Sequence, residues 1–217
     1  MICIVDYGMG NLRSINAKLR SKGFKSIVSS NPNEINKADK LIIPGVGHFG
    51  EAMKNLETRN LIGVLNKKVL EDKTPVLGIC LGMQLFTEYS EEGNSSGLEW
   101  IKGSVLKFNF AKEKQLKVPH VGWNEVDFTS TSALFNNFED NHRFYFTHSY
   151  YVKLNEEIKN SFYTDYGDIF VSSFEKDNIF AVQFHPEKSG AAGLAIMRNF
   201  LAECRKNASA ISSSKED

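Results

Sequence analysis

Residues 75–84 read PVLGICLGMQ, and this stretch decides the fold. The apolar run 76–79 gives way at Cys80 to a helical pattern, with Gly78 and Gly82 on either side of the junction. A sharp strand-to-helix turn crowds the backbone, and glycines placed there relieve the crowding, as in the G-x-S-x-G elbow with sulfur replacing oxygen. Such a turn also aims backbone N–H groups and the positive end of the next helix at the side chain it presents, which stabilises a thiolate. Taken alone, the stretch leaves Cys80 three roles: a small buried residue, a metal ligand or a nucleophile.

Working outward, the run 2–5 ends in the glycine-rich turn DYGMGN, after which Leu12, Ile15 and Leu19 recur at helical spacing. Further strands are predicted at 24–28, 40–43 and 76–79, with a helix over 51–70. Strands alternating with helices, in runs too continuously apolar to be half exposed, predict a parallel sheet covered on both faces. Cys80 then falls outside the carboxyl end of a strand, where open α/β sheets bind ligands. From 97 to 184 the chain turns β-rich (GSVLKF, RFYFTHSYYV, IFVSSF, IFAVQF), which adds antiparallel strands to the sheet. A last helix is expected over 191–204, and KNASAISSSKED reads as a frayed tail. The expected fold is therefore α/β: an open, mostly parallel sheet flanked by helices with additional antiparallel strands. It forms one domain over 1–205, followed by a flexible tail at 206–217.

Composition narrows the function. With 217 residues, 41% hydrophobic and 24% charged, the chain suits a single globular domain. Lys plus Arg and Asp plus Glu stand at 26 each, so no net field would hold it on nucleic acid or an anionic membrane. No run approaches the roughly 20 apolar residues of a membrane helix, and the start MICIVDYG carries no charged leader. These features predict a cytosolic protein acting on a small neutral or zwitterionic substrate or on a protein partner. Cys3, Cys80 and Cys204 are odd in number and far apart, against a disulfide framework or a CxxC zinc site. No metal and no cofactor are expected.

A thiolate that forms an acyl intermediate needs a proton-carrying partner, itself oriented by a third group. Among the five histidines, His185 follows the apolar run 179–184 and opens HPEKSG, so it too lies at a strand end. Glu187, two residues on, can reach the other ring nitrogen and fix the tautomer. Singly, a loop histidine and a surface glutamate are the commoner readings; with Cys80 at a second strand end the balance moves to catalysis. His148 in FTHSY ranks second, a satisfied histidine beside a sheet being its plainer reading. His48, His120 and His142 lack an adjacent acid and receive no role. The glycines of PGVG, 44–47, would let a loop bring N–H groups to a developing oxyanion, although an ordinary turn looks the same.

Together PGVG, GICLGMQ and HPEKS, in this order and spacing, resemble the class I (triad) glutamine amidotransferases over nearly the whole chain. YGMGNL, PGVGHFG, CLGMQ, VPHVGWN, TDYG and QFHPEKS are similar to the glutaminase subunits of the imidazole glycerol phosphate synthases of histidine biosynthesis. The resemblance implies that Cys80 attacks the side-chain amide of glutamine, that His185 carries the proton to the leaving ammonia and that Glu187 orients His185. It implies an oxyanion hole from the N–H of Leu81 and, after a rearrangement within Pro44, Gly45, Val46 and Gly47, of Val46. Gln84, Glu92, Ser149 and Tyr150 match positions near bound glutamine, and Asn11, Trp123, Tyr145 and Lys188 match positions that meet a partner. That partner would be a barrel-shaped cyclase, bound as a heterodimer and receiving ammonia through a channel.

The sequence departs from the family's usual pattern at Val121, where VPHMGWN is commoner, and at Trp100, where a smaller aliphatic residue is common. The segment around Trp100 is similar to paralogues found with surface-polysaccharide genes, whose ammonia goes to a sugar; a packed aromatic is the plainer reading. An α/β-hydrolase would place its acid before the histidine, whereas Glu187 follows His185. A γ-glutamyl peptide hydrolase would have no need of a partner-docking face. A non-catalytic binding subunit would be expected to lack Cys80, His185 or Glu187. YGMGN lacks the full G-x-G-x-x-G spacing of a phosphate loop and reads as a turn.

Overall fold

A computed structural model describes residues 1–110, 116–128, 132–138 and 142–213, with side chains described through 202; Cys204 and the whole of the expected tail lie outside the described side chains. The first half alternates strand and helix: β1 (Ile2–Val5), α1 (Leu12–Ser21), β2 (Ser26–Ser29), α2 (Pro32–Asn36), β3 (Lys40–Gly45), α3 (Phe49–Thr58), α4 (Ile62–Asn66), β4 (Val76–Cys80) and α5 (Leu81–Gln84). There follow β5 (Tyr89–Ser90), β6 (Ser95–Ser96), β7 (Gly103–Lys107), β8 (His120–Glu125), β9 (Arg143–His148), β10 (Tyr150–Leu154), β11 (Asn160–Tyr166), β12 (Asp168–Lys176), β13 (Ile179–Val182) and the closing helix α6 (Gly190–Ser213).

Eleven strands form one sheet in the order β2-β1-β3-β4-β13-β12-β10-β7-β5-β6, with β11 paired to β12. From β2 to β13 all pairings are parallel, while β12 and β10 continue the sheet antiparallel. This is the mixed α/β sheet expected from the sequence. Strand side chains alternate between faces, so Val5, Leu41, Ile43 and Val76 enter a core with Phe49, Leu56 and Phe86. Ile4, Ile42, Leu77 and Ile79 enter a second core with Phe144, Phe184 and Ile196 on the other face. Two buried faces are why these strands read as unbroken apolar runs.

Several boundaries differ from expectation for local reasons. The helix expected over 51–70 is interrupted. Asn60 adopts φ 54, Leu61 N–H donates to Leu56 O and Asn60 N–H to Glu57 O, a Schellman closure that ends α3. Beyond α4 the chain continues as a π turn over Lys67–Glu71. The strand expected at 24–28 begins instead at Ser26, because Phe24 N–H donates to Leu19 O in closing α1. RFYFTHSYYV divides at Ser149: β10 joins the main sheet, but β9 pairs with β8 in a separate two-stranded sheet. The last helix runs past Cys204 to Ser213, since KNASAIS contains neither glycine nor proline to stop it.

Candidate active site

The elbow expected at Cys80 is present, and packing dictates it. Cys80 ends β4 and precedes α5 with φ 53 and ψ −110, a conformation that side chains rarely adopt and that tight surroundings must enforce. A Cβ on Gly82 would lie 1.8 Å from the Ile43 carbonyl oxygen, and one on Gly78 would meet the Phe86 ring at 2.7 Å. Only glycine lets α5 approach β3 and β4 this closely. β3 extends to Gly45, which pairs with Cys80 in the parallel register. A Cβ on Gly45 would stand 2.7 Å from that of Leu81, so the PGVG segment leaves the sheet directly beside the cysteine.

β13 lies next to β4, with Val182 opposite Ile79, and the chain beyond it delivers His185 to the same edge. His185 Nδ1 lies 2.9 Å from Glu187 Oε1, with the two residues 1% and 4% exposed. The pair is therefore desolvated. His185 Nε2 and Glu187 Oε2 are buried and make no hydrogen bond of regular geometry. Burial by itself depresses the His185 ring; the neighbouring Cys80 sulfur and the Glu187 carboxylate outweigh it and push the pKa up to about 10.

A cavity of about 240 Å³ opens at the sulfur, lined by Val46, Gly47, Cys80, Leu81, Gln84, Glu92, Pro119, Thr147, His148, Ser149 and Tyr150. All four residues expected near a ligand are in this wall. Gln84 Nε2 is committed to Tyr150 O and to Gln183 Oε1, each at 3.0 Å, so its oxygen is the atom left for a ligand. Glu92 Oε2 accepts from Phe49 N at 2.8 Å, closing the head of α3 as well as facing the cavity. Val46 is 47% exposed at the rim. A larger cavity of about 900 Å³ lies near the amino ends of β1–β3, among Met1, Phe24, Asp39 and Lys40, with neither cysteine nor histidine in its lining.

Three features escaped the sequence reading. Tyr7 is fully buried and its hydroxyl donates to Pro44 O at 2.6 Å, fastening the base of the PGVG segment. Its DYG context reads as a turn, and only the fold puts it beneath the loop. Gln183, between β13 and His185, is buried with its amide nitrogen 3.5 Å from Cys80 Sγ. His148 and His120 form a buried pair, His120 Nδ1 to His148 Nε2 at 3.1 Å. Burial lowers His120 to about 4 and, with opposing help from the Tyr150 carbonyl and further depression by the neighbouring histidines, His148 to about 3. His148 touches the cavity as a neutral ring, and His48 and His142 are absent from its wall.

On the outer face Trp123, 48% exposed, meets the Tyr145 ring edge-on at 6.1 Å, and Lys188 Nζ stands 5.5 Å from the centre of that ring. The Tyr145 carbonyl accepts from His185 N–H at 2.9 Å, which ties this patch to the buried pair. Asn11 heads α1, which packs on the turn carrying Lys188. Trp100 lies elsewhere: it is buried, its ring tilted against Phe86, and bonded through Nε1 to Asn66 Oδ1 at 2.8 Å. It is a core residue. Among the described residues no cluster of three or more His, Cys, Asp or Glu side chains could hold a metal ion, and no helix is long and apolar enough to cross a membrane.

A cysteine on a strained elbow and a buried His–Glu pair, both at the carboxyl edge of a doubly covered sheet, define a class of α/β protein that gathers these three side chains at one place. The family described as glutamine amidotransferase class-I matches residues 3–204. The chain is 48% identical over 203 residues to imidazole glycerol phosphate synthase subunit HisH 2 of Methanococcus maripaludis, covering 94% of this chain and 100% of that one. It is 46% identical to subunit HisH 1 of Campylobacter jejuni, covering 93% and 99%. In the structure of PurLQS from Thermotoga maritima, a chain 18% identical superposes with a TM-score of 0.70, covering 93% and 97%, which shows a shared fold. The chain belongs to the class I glutamine amidotransferases and, within them, to the HisH subunits.

Proposed function

We propose that the chain is the glutaminase subunit of an imidazole glycerol phosphate synthase, hydrolysing glutamine and passing the ammonia to a cyclase subunit in histidine biosynthesis. The observation that carries this is Cys80 in the wall of a small cavity with the buried His185–Glu187 pair beside it, in a chain nearly half identical to HisH subunits along its length.

The Cys80 thiolate attacks the side-chain carbon of glutamine, and the carbonyl oxygen becomes an oxyanion. The N–H of Leu81, first residue of α5 and without an acceptor inside that helix, is one donor; Val46 N–H, swung inward as Pro44, Gly45 and Gly47 rearrange, is the second. Each such donor contributes roughly 3–4 kcal/mol of barrier lowering. The His185 imidazolium gives its proton to the departing nitrogen, leaving ammonia and a γ-glutamyl thioester. Water then attacks the thioester, His185 takes the water's proton, and glutamate leaves as the thiolate re-forms. Glu187 holds the ring in the tautomer this exchange needs. The Gln84 oxygen, Glu92, Ser149 and Tyr150 hold the amino-acid end of the substrate.

Ammonia released to water is protonated and lost, so the product is handed on directly. Asn11, Trp123, Tyr145 and Lys188 belong to the docking face for a barrel-shaped cyclase in a one-to-one heterodimer, with ammonia crossing by an internal channel. The PGVG segment acts as the switch that keeps the glutaminase idle until the cyclase holds its ribulosyl aminoimidazole-carboxamide acceptor. We place the catalytic unit in residues 1–205 and the protein in the cytoplasm. The sugar-amidotransfer alternative rested on Trp100, whose place in the core lends it no support. Incubation with a glutamine-analogue electrophile tests the chemistry: one adduct per chain, on Cys80, is expected, and labelling that persists in Cys80→Ala would overturn it.

A further inference from the structure

Gln183 is fully buried in the middle of an apolar run, and no step above uses it. Its backbone N–H donates to Ser172 O at 2.8 Å, so the main chain is held by the sheet and the side chain is free to serve another purpose. That side chain accepts from Gln84 Nε2 through Oε1 at 3.0 Å and donates through Nε2 to Cys80 Sγ at 3.5 Å. The amide orientations are chemically determined. Tyr150 O, a carbonyl that can only accept, faces Gln84 at 3.0 Å and so requires the Gln84 nitrogen there. The other Gln84 hydrogen requires the Gln183 oxygen, which leaves the Gln183 NH₂ turned to the sulfur.

A neutral thiol is a weak acceptor, whereas a thiolate is a charged one, so this donor bonds the ionised form more strongly. Burying an amide for packing alone costs free energy that an apolar side chain would avoid. We propose that Gln183 is a catalytic residue of the glutaminase, its amide N–H holding the Cys80 thiolate before attack and again as it leaves the hydrolysed thioester. Gln84 is the positioning residue behind it, tying the donor to the strand that carries Tyr150. The inference rests on the glutaminase reading. The other titratable groups around the sulfur are His185 with Glu187 behind it, Tyr7 from beyond β1, and His148, Glu92 and Tyr150 from the cavity wall; all stay in place in the variants below.

The test is the pH profile of Cys80 alkylation by iodoacetamide in the full chain, with Gln183→Met and the isosteric Gln183→Glu beside the parent. Loss of the donor moves the inflection upward by about one to two pH units in Gln183→Met, and further in Gln183→Glu, where a carboxylate faces the sulfur. Superimposable profiles in variants with parental circular dichroism overturn the proposal, because a packing role would change stability and leave the profile alone. Should the variants not fold, the parent decides. Its Gln183 side-chain amide resonances shift downfield through the alkylation inflection if the donor holds the thiolate, and unmoved resonances overturn the idea. If a glutamine-analogue electrophile fails to label the parent at Cys80, the glutaminase reading itself has failed; labelling with unchanged profiles removes Gln183 alone.

Discussion

Replacing Gly82 by alanine tests how closely the elbow depends on packing. The new Cβ would stand 1.8 Å from the Ile43 carbonyl oxygen, where contacts under 3.0 Å are essentially never seen, and the obstacle is backbone rather than a side chain that could swing away. α5 and β3 must therefore part by more than about 1 Å, an overpacking strain of roughly 1–3 kcal/mol. For a chain of this length that lowers Tm by about 2–4 °C per kcal/mol. The same displacement separates Cys80 and Leu81 from the PGVG segment at the end of β3, and a misplacement near 1 Å lowers turnover by about 100-fold. Glutamate release and thermal melting are the assays, with Gly63→Ala in α4 as the control. Outside its own helix backbone, nothing lies within 4 Å of a Cβ at Gly63, so that change should leave activity intact and raise stability by about 0.4–1 kcal/mol. A Gly82→Ala chain with parental activity and melting would refute the claim that close approach of α5 to β3 builds the site.

Three further outcomes are expected. Glu187→Gln keeps the shape and removes the charge; the His185 pKa should drop from about 10 in an NMR titration and glutaminase activity should fall by roughly 10²–10⁴-fold, an unchanged ring pKa being the contrary result. Cys80→Gly should be inactive yet more stable than Cys80→Ala by about 1 kcal/mol, because glycine accepts φ 53 where alanine does not; equal urea midpoints would show the elbow to be unstrained. Acid should destabilise the fold through His120 and His148, whose folded pKa values of about 4 and 3 lie below the ordinary value. Between pH 6.5 and 5 the unfolded chain takes up protons that the native rings refuse, so stability falls by up to about 1.4 kcal/mol per pH unit for His148 and less for His120. His185, with its raised pKa, contributes stability that is fully present in that window and lost only as pH climbs from about 6.5 towards 10; urea midpoints that do not move between pH 6.5 and 5 would contradict the assignment.

Much of the fold was legible because the deciding signals are local. Runs such as LIIPG and VLGIC are apolar on both faces, which only a covered sheet explains, and the glycines around Cys80 announce a turn that needs them. The breaks at Asn60 and Phe24 were less visible, since a Schellman closure depends on which carbonyl a donor reaches and both segments keep helical or strand-like composition. β8 and β9 forming their own pair could not be read from RFYFTHSYYV, because continuity of apolar residues says nothing about which neighbour a strand chooses. At the site, the Cys80, His185 and Glu187 positions stood out as chemically reactive types at strand ends. Tyr7 and Gln183 did not, because each acts through contacts between distant segments: one from the first strand to the third, the other from the last parallel strand to the elbow.

The measurement that bears most directly on the central claim is glutamate release from glutamine by the purified chain, alone, with a histidine-pathway cyclase, and with cyclase plus its acceptor nucleotide. Little release is expected from the chain alone, strong stimulation only when cyclase and acceptor are both present, and loss of all of it in Cys80→Ala. Release that is indifferent to the cyclase, or that survives the loss of Cys80, would contradict it.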